Sequence, residues 1–148
     1  MGVKAIDPQS SKIADIDVQK VTYQNAAVVA IECKGKEPGG ILQKVEVEEW
    51  LRKTGTMRAH YREHPEFREA KVTFELWTSG TIHADALDLL ESEKARRTKT
   101  EINWKDGKAV LELAKAGKEK SITDALKEHF MQHPLSKVES ELAAPHTQ

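Results

Sequence analysis

The sequence predicts an α/β domain, because two runs near its start have the pattern of strands and the later segments are spaced like helices and strands in turn. The first run, Ile13 to Tyr23, alternates its side chains with a two-residue period. The second, residues 26–34, is almost wholly apolar until its last three residues, which is typical of a strand buried on both faces. Gln24-Asn25 between them suits a tight turn, so we expect an antiparallel hairpin.

The elements after the hairpin follow from helical spacing, alternation and turn residues. They complete the predicted order strand, strand, helix, strand, helix, strand, helix. The pattern leaves the state of residues 110–113 open. The first of these elements is a helix at 41–53, which Gly55 ends or bends and which residues 57–68 continue as far as Pro65. The others are a strand at 71–77, a turn at 78–81, a helix at 82–90, a short strand at 101–104 and a helix at 121–130 that begins with a capping box.

The length and the cysteine content fit one domain with flexible ends. A chain of 148 residues buries enough surface to fold without disulfides or a structural metal, and its one cysteine, Cys33, excludes a disulfide framework. Residues 1–12 and 135–148 lack apolar periodicity. We therefore expect a flexible N-terminus at 1–12, a folded domain at 13–134 and a flexible C-terminal tail at 135–148.

Hydropathy and charge exclude two broad classes of protein. No stretch approaches the roughly 18 uninterrupted apolar residues of a membrane span, and the first residues lack the apolar core of a secretory signal. We therefore expect a cytoplasmic protein with no membrane partner. The net charge of -1 argues against a protein that coats nucleic acid by bulk electrostatics, and it leaves room for a local basic groove.

The predicted hairpin brings acidic and basic side chains into one patch. Counting outward from the turn places Asp17 opposite Glu32 and Asp15 opposite Lys34. Opposed Cβ atoms lie only about 4.5–5.5 Å apart, so two ionised carboxylates there repel each other unless a cation lies between them. Oxygen ligands without His or Cys favour Mg²⁺ or Mn²⁺ over Zn²⁺. With Lys34 on the same face as Glu32, this trio could hydrolyse a phosphodiester bond.

These residues resemble the PD-(D/E)XK, or restriction-endonuclease-like, nucleases. The likeness lies in an acidic strand followed by an apolar strand that ends in Glu-x-Lys, and the downstream segments resemble the Mrr-like restriction branch in particular. It implies a restriction-endonuclease-like core, in which a mixed β-sheet of an antiparallel hairpin plus further strands is flanked by helices. The residues that carry the resemblance, within about residues 13–130, are Asp15-Ile16-Asp17-Val18, 28–35 with Glu32-Cys33-Lys34, 74–80, Ala86 and 102–107.

The resemblance also implies roles for the hairpin residues. Asp17 and Glu32 would bind Mg²⁺ or Mn²⁺, Lys34 would be the catalytic lysine, and Asp15 would be an auxiliary neighbour. The implied activity is that of a metal-dependent endonuclease that hydrolyses DNA in restriction, defence or DNA processing. The alternative is a catalytically inactive module of the same fold that binds nucleic acid or a protein partner.

The family places a helix and a strand before its motif aspartate, whereas 16 residues precede Asp17 in this sequence. We therefore expect the missing elements and the targeting to come from a larger protein that contains this chain, from a partner or from a second copy. Cutting both strands of DNA would require two active sites, so a homodimer is the expected assembly.

Two groups of basic residues are candidate contacts for the DNA backbone. Such groups are more often the solvated face of a helix, but two of them beside a metal site would suit a DNA backbone. The first group is Arg52, Lys53, Arg58 and Arg62, and the second is Lys94, Arg96, Arg97 and Lys99.

Each site also has a purely structural interpretation. Asp15 and Asp17 could be charges that protect an edge strand from aggregation, with Lys34 in a salt bridge to Asp15. We expect Cys33, on the face opposite Glu32, to be a small core residue rather than a nucleophile. The Ser79-Gly80-Thr81 segment suits a turn and helix cap better than a phosphate loop. The i,i+4 histidine pairs lack the acidic partner of a hydrolytic zinc helix and are weak zinc candidates: His60 with His64, and His129 with His133.

Overall fold

A computed structural model describes residues 3–7, 13–22 and 26–116. Its elements are, in chain order, β1 (Val3–Ile6), β2 (Ile13–Ile16), β3 (Val18–Val21), β4 (Ala27–Lys34), β5 (Ile41–Leu42), α1 (Lys44–Glu63), β6 (Lys71–Thr78), β7 (Thr81–Ile82), α2 (Ala84–Arg96), β8 (Glu101–Lys105) and α3 (Gly107–Ala116). The centre is a four-stranded mixed sheet in the order β3, β4, β6, β8, and two smaller two-stranded sheets pair β1 with β2 and β5 with β7. The described chain is therefore an α/β fold with a mixed sheet that includes an antiparallel pair.

The predicted hairpin register is confirmed where both strands are described. β3 pairs with β4 antiparallel with Val18 opposite Ile31, which is the register that puts Asp17 and Glu32 one position further on. β4 also pairs with β6, and β6 pairs with β8, in both cases parallel. Having neighbours on both sides explains why β4 is almost entirely apolar. The turn at Gln24-Asn25 lies outside the described residues.

The prediction of one continuous strand from Ile13 to Tyr23 is wrong. The backbone bends at Asp17, so that β2 leaves the central sheet and pairs with β1 instead. In that pairing Asp15 lies opposite Lys4, and the predicted position opposite Lys34 is therefore also wrong. The bend lets the side chains of Ala14 and Ile16 join the core.

Helix α1 is a single helix of 20 residues that passes through Gly55 without ending there. Its buried residues lie on both sides of this glycine, including Val47 and Trp50 before it and Met57 and Tyr61 after it. Packing of that apolar face outweighs the cost of about 1 kcal/mol for a glycine inside a helix. The helix begins later than predicted, because residues 41–42 form β5, and it ends at Glu63, two residues before Pro65. The helix predicted at 82–90 likewise begins later, at Ala84, because Thr81–Ile82 form β7.

Two hydrophobic clusters occupy the two faces of the central sheet. The larger contains Val28, Ala30 and Phe74 from the sheet, together with apolar residues of α1 and α2. The smaller contains Ile31 and Trp77, and it includes Val110 of α3. Residues 110–113, whose state the sequence left open, thus belong to a helix that covers the second face of the sheet.

The folded part includes residues placed in the expected flexible N-terminus. Val3–Ile6 form β1, whose Ala5 is fully buried in the main core beside α1. The predicted helix at 121–130 and the predicted tail at 135–148 lie outside the described residues. Within the described part of the chain, no helix is long and apolar enough to span a bilayer.

Candidate metal and phosphate site

Glu32 is a buried carboxylate near the end of the central strand β4. Its side chain is 7% exposed. It lies opposite Leu76 of β6, and because side chains alternate along a strand, it shares a sheet face with Ala30 and Lys34. This is the face that α1 covers. A carboxylate there is costly to bury unless cations and hydrogen-bond donors surround it.

Two lysines from different elements supply that compensation. Lys34 Nζ lies 3.2 Å from Glu32 Oε2, and Lys53 Nζ of α1 lies 3.3 Å from Glu32 Oε1. The lysine side chains are 28% and 41% exposed. Each ammonium group therefore contacts the buried carboxylate while its side chain remains accessible to an anion in solution.

Asp17 lies at the bend where β3 begins, and its side chain contacts β4. Its Oδ2 accepts a hydrogen bond of 2.8 Å from the backbone N–H of Cys33. The carboxylate thus takes a ladder position that a backbone carbonyl would occupy in a continuous strand. This contact fixes Asp17 beside the Glu32-Cys33-Lys34 segment, as the hairpin prediction required.

Cys33 lies between Glu32 and Lys34 in sequence, with its side chain on the other face of the sheet. It packs beside the smaller hydrophobic cluster, which confirms the expectation that it is a small core residue. Burial raises the pKa of the Cys33 thiol, and the charges of Asp17 and Glu32 raise it further. Two negative charges therefore act on one point of β4, and the thiol is held protonated and unreactive.

The backbone beside Lys34 is fastened to the loop that follows β6. The Lys34 carbonyl accepts from Thr78 Oγ1 at 2.9 Å and from the Ser79 N–H at 3.3 Å. The Lys36 N–H donates to Ser79 Oγ at 2.8 Å. A Cβ at Gly80 would lie 2.4 Å from the Gly40 carbonyl oxygen, so only glycine permits this approach of the two loops.

The Ser79 hydroxyl is committed to this structure, because it also donates to the Lys36 carbonyl at 3.3 Å. This supports the turn interpretation of Ser79-Gly80-Thr81. The cap of α2 comes later, from His83, whose Nδ1 accepts from the Asp85 N–H at 3.0 Å.

The oxygen donors of the site are those of Asp17 and Glu32. Within the described ranges, no group of three or more His, Cys, Asp or Glu side chains is placed to hold a metal ion. Two carboxylates fit Mg²⁺ or Mn²⁺, because Mg²⁺ commonly binds through one or two carboxylates and keeps several waters. Asp15 is exposed on β2 opposite Lys4 and does not join them.

The structure divides the predicted basic residues among different places. Lys53 contacts Glu32. Arg58 of α1 comes together with Arg96, Arg97 and Lys99 at the end of α2, where they line one depression. Lys94 lines an adjoining depression, and its Nζ donates to Asn103 Oδ1 at 2.5 Å. Arg52 and Arg62 are exposed on α1 and line neither depression.

Sequence reasoning placed Lys53 among possible DNA contacts and missed its contact with Glu32. The available signal is its spacing from Trp50, because residues three apart share a helix face and Trp50 is buried. That spacing puts Lys53 at the border of the buried face. Which residue of the sheet Lys53 then contacts depends on how α1 packs on the sheet, and local sequence does not specify that packing.

The first histidine pair has a structural role. His60 Nδ1 accepts a hydrogen bond from the Ile6 N–H at 3.3 Å, so it ties α1 to β1. The His60 and His64 ring centroids are 5.9 Å apart. Burial, followed by the neighbouring His64, lowers the pKa of His60, which favours the neutral ring that this bond needs. The His129–His133 pair lies outside the described residues.

Comparison with protein-family models, curated proteins and solved structures finds no match to this chain.

Proposed function

We propose that the chain is a metal-dependent nuclease domain of the restriction-endonuclease-like type that hydrolyses DNA phosphodiester bonds at Asp17, Glu32 and Lys34. The observation that carries the proposal is the arrangement around the end of β4. There Asp17 accepts a hydrogen bond from the Cys33 N–H, while Lys34 and Lys53 form ion pairs with the buried Glu32 carboxylate. Buried charge of this kind costs stability, and such costs are commonly retained where they serve a site.

Asp17 and Glu32 would hold Mg²⁺ or Mn²⁺, with water completing its coordination. When bound, that ion would lower the pKa of a coordinated water and polarise a phosphoryl oxygen. Lys34 and Lys53 would turn from Glu32 toward the phosphate, since both ammonium groups are partly exposed. There they would stabilise the negative charge that develops as the bond to the leaving oxygen breaks.

The fastened loop makes Lys34 the better candidate of the two lysines for a catalytic role. Its backbone carbonyl is held by Thr78 and Ser79, so the point of the backbone from which its side chain projects is fixed. Lys53, by contrast, reaches Glu32 from the middle of helix α1 and not from the strand that carries Glu32.

A second candidate is a catalytically inactive module of the same fold that binds nucleic acid or a protein partner. It is favoured by the fact that each carboxylate already has protein partners: Asp17 accepts from Cys33, and Glu32 contacts Lys34 and Lys53. In this case the carboxylates would be structural.

DNA cleavage separates the two candidates. Plasmid, linear and branched DNA would be incubated with Mg²⁺ or Mn²⁺ and with wild type, Glu32→Gln, Lys34→Ala or the matched controls Glu48→Gln and Lys44→Ala, whose side chains are exposed on α1. We expect wild type and both controls to cut, EDTA to stop cutting, and each site variant to lose about 10²-fold or more in rate. Equal cutting by Glu32→Gln and Glu48→Gln would contradict the proposal. No cutting of any substrate by wild type would favour the binding module.

A further inference from the structure

A concentrated basic surface lies apart from Glu32. The six residues that line its main depression, of about 250 Å³, carry four positive charges and no negative charge: Arg58, Arg96, Arg97, Thr98, Lys99 and Thr100. A second depression of about 210 Å³ shares Arg97 and 98–100 with the first and adds Lys71, Val72, Lys94 and Glu101, so its lining also carries more positive than negative charge. In a chain of net charge -1, this is a local accumulation of positive charge and not a consequence of overall composition.

The position of the surface follows from the strand directions. β4, β6 and β8 run parallel, and Glu32 lies near the end of β4. Residues 96–100 lead into the start of β8, so the basic surface lies toward the other end of these strands. The same helix serves both places, because Lys53 contacts Glu32 while the next residue, Thr54, accepts from Arg97 Nη2 at 3.1 Å.

The side chains have the chemistry of phosphate recognition. Arginine presents a planar set of donors that matches phosphate oxygens, and the threonine hydroxyls beside it add neutral donors. Arg97 is held in place by Thr54 and by Glu93, while Arg96 is exposed at the rim. Glu93 neutralises only part of the positive charge of the main depression, because this one carboxylate is shared between Arg96 and Arg97.

We propose that this surface binds the phosphodiester backbone of a nucleic acid at a place separate from the Asp17–Glu32 site. Its cationic residues are Arg58, Lys71, Lys94, Arg96, Arg97 and Lys99. Two basic depressions that adjoin through Arg97 and residues 98–100 offer two neighbouring places for anions, which fits successive phosphates of a polymer better than one isolated anion. The inference rests on the proposed function for naming nucleic acid as the ligand. It assigns Arg52 and Arg62 no part in this contact, because they lie outside both depressions.

The test measures binding of a short fluorescent DNA duplex in EDTA, so that neither metal binding nor cleavage contributes. The variant Arg96→Glu/Lys99→Glu reverses two exposed charges of the surface. The control Arg68→Glu/Lys108→Glu reverses two exposed charges elsewhere and changes the net charge equally. Neither pair includes Arg97, so the anchoring contacts with Thr54 and Glu93 are kept. Circular dichroism confirms that both variants are folded.

We expect the surface variant to bind about 50-fold more weakly than wild type at about 0.1 M salt, with the slope of log affinity against log salt reduced by about 2. We expect the control to keep the wild-type slope. Equal losses in the two variants, unchanged binding of the surface variant, or no binding by wild type would each overturn the inference.

Parallel cleavage assays keep the two proposals distinguishable. Cleavage that needs Glu32 but tolerates the surface variant, with binding also unchanged, would overturn the inference and leave the proposed function standing. Binding that depends on the surface, without metal-dependent cleavage, would support the inference and contradict the nuclease. A surface variant that loses binding to vesicles of anionic phospholipid, but not to DNA, would also overturn it.

Discussion

Two consecutive residues of α1 contact two different charged regions of the molecule: Lys53 contacts Glu32, and Thr54 contacts Arg97. The buried charge is negative in the first region and positive in the second. At Glu32 a buried anion is held by two partly exposed lysines from different elements. At Arg97 a cation whose side chain is 15% exposed is held by one carboxylate that it shares with Arg96. The first region has two partly exposed cations around one buried anion, and the second has two cations, the largely buried Arg97 and the exposed Arg96, around one carboxylate.

This difference indicates what each region can accept. At Glu32 the carboxylate belongs to the central strand and the lysines are partly exposed, so under the proposed function a metal ion would take their place there. Around Arg97 there is no carboxylate in the lining of the main depression, which is the reason we propose it as a surface for anions. The two proposals thus assign a divalent cation to one region and phosphate to the other.

Removing both lysines from Glu32 should have the largest effect on stability. Lys34→Ala/Lys53→Ala would leave a buried carboxylate without its cations, and we expect the free energy of unfolding in urea to fall by about 3 kcal/mol. Adding Glu32→Gln should restore most of this loss, because the buried charge is then gone. The control Lys44→Ala/Lys108→Ala removes two exposed lysines and should change stability by less than about 0.5 kcal/mol. A double site variant as stable as this control would show that Glu32 does not need its lysines.

At the other region, Arg97→Ala should destabilise by about 2 kcal/mol, since it removes charged hydrogen bonds to Glu93 and Thr54. Arg96→Ala should cost less than about 1 kcal/mol, because the Arg96 side chain is 71% exposed and its ion pair is screened by water. Urea unfolding of the two variants measures the contrast. Equal losses of stability would mean that the exposed Arg96 and the largely buried Arg97 contribute alike, which would contradict this contrast.

The acid dependence of the Arg97 region should be a smaller effect. Hydrogen bonding from Arg96, with further contributions from its charge and from Arg97, lowers the pKa of Glu93 below its ordinary value of 4.5. A carboxyl whose pKa is lowered in the folded state contributes stability above its unfolded pKa, and this contribution is lost as the pH falls through the folded pKa. The stability difference between wild type and Glu93→Gln should therefore shrink on going from neutral pH to below 4.5. Urea unfolding across that range would measure it, and a constant difference would contradict the assigned ion pairs.

The smallest expected effect concerns Cys33, which reports on the carboxylates of the first region. Burial and the charges of Asp17 and Glu32 raise its pKa, so alkylation by iodoacetamide in mildly alkaline buffer should be much slower than for an unfolded chain. Asp17→Asn removes one of those charges and should speed alkylation a few-fold. Asp85→Asn, which changes an exposed carboxylate at the start of α2, should leave the rate unchanged. Equal rates in the two variants would place the Asp17 charge too far from Cys33 to matter.

Local patterns predicted the hairpin and its register, because an apolar run, a short turn and a polar strand allow one pairing. They failed at Asp17, where the bend depends on β1, a strand that pairs with β2 and buries Ala5. They also misjudged Gly55, because the packing that holds α1 together comes from other parts of the chain. The α/β class and the four strands of the central sheet thus followed from sequence, whereas the division of one strand into two and the short strands β1, β5 and β7 did not.

The candidate site divides in the same way. Asp17, Glu32 and Lys34 are close in the hairpin, so counting along two strands was enough to bring them together. Lys53 is added by the placement of α1 on the sheet, and the union of Arg58 with Arg97 depends on how α1 lies beside α2. Residues that meet through packing of separate helices leave no fixed spacing in the sequence.

Calorimetric titration of Mn²⁺ tests the central claim, that Asp17 and Glu32 form a divalent-cation site, most directly. It would compare wild type with Asp17→Asn, Glu32→Gln and the control Glu48→Gln, an exposed carboxylate of α1. We predict saturable binding of Mn²⁺ to wild type and to the control, and its loss in both site variants while they remain folded. The same binding by Glu32→Gln as by Glu48→Gln would contradict the account.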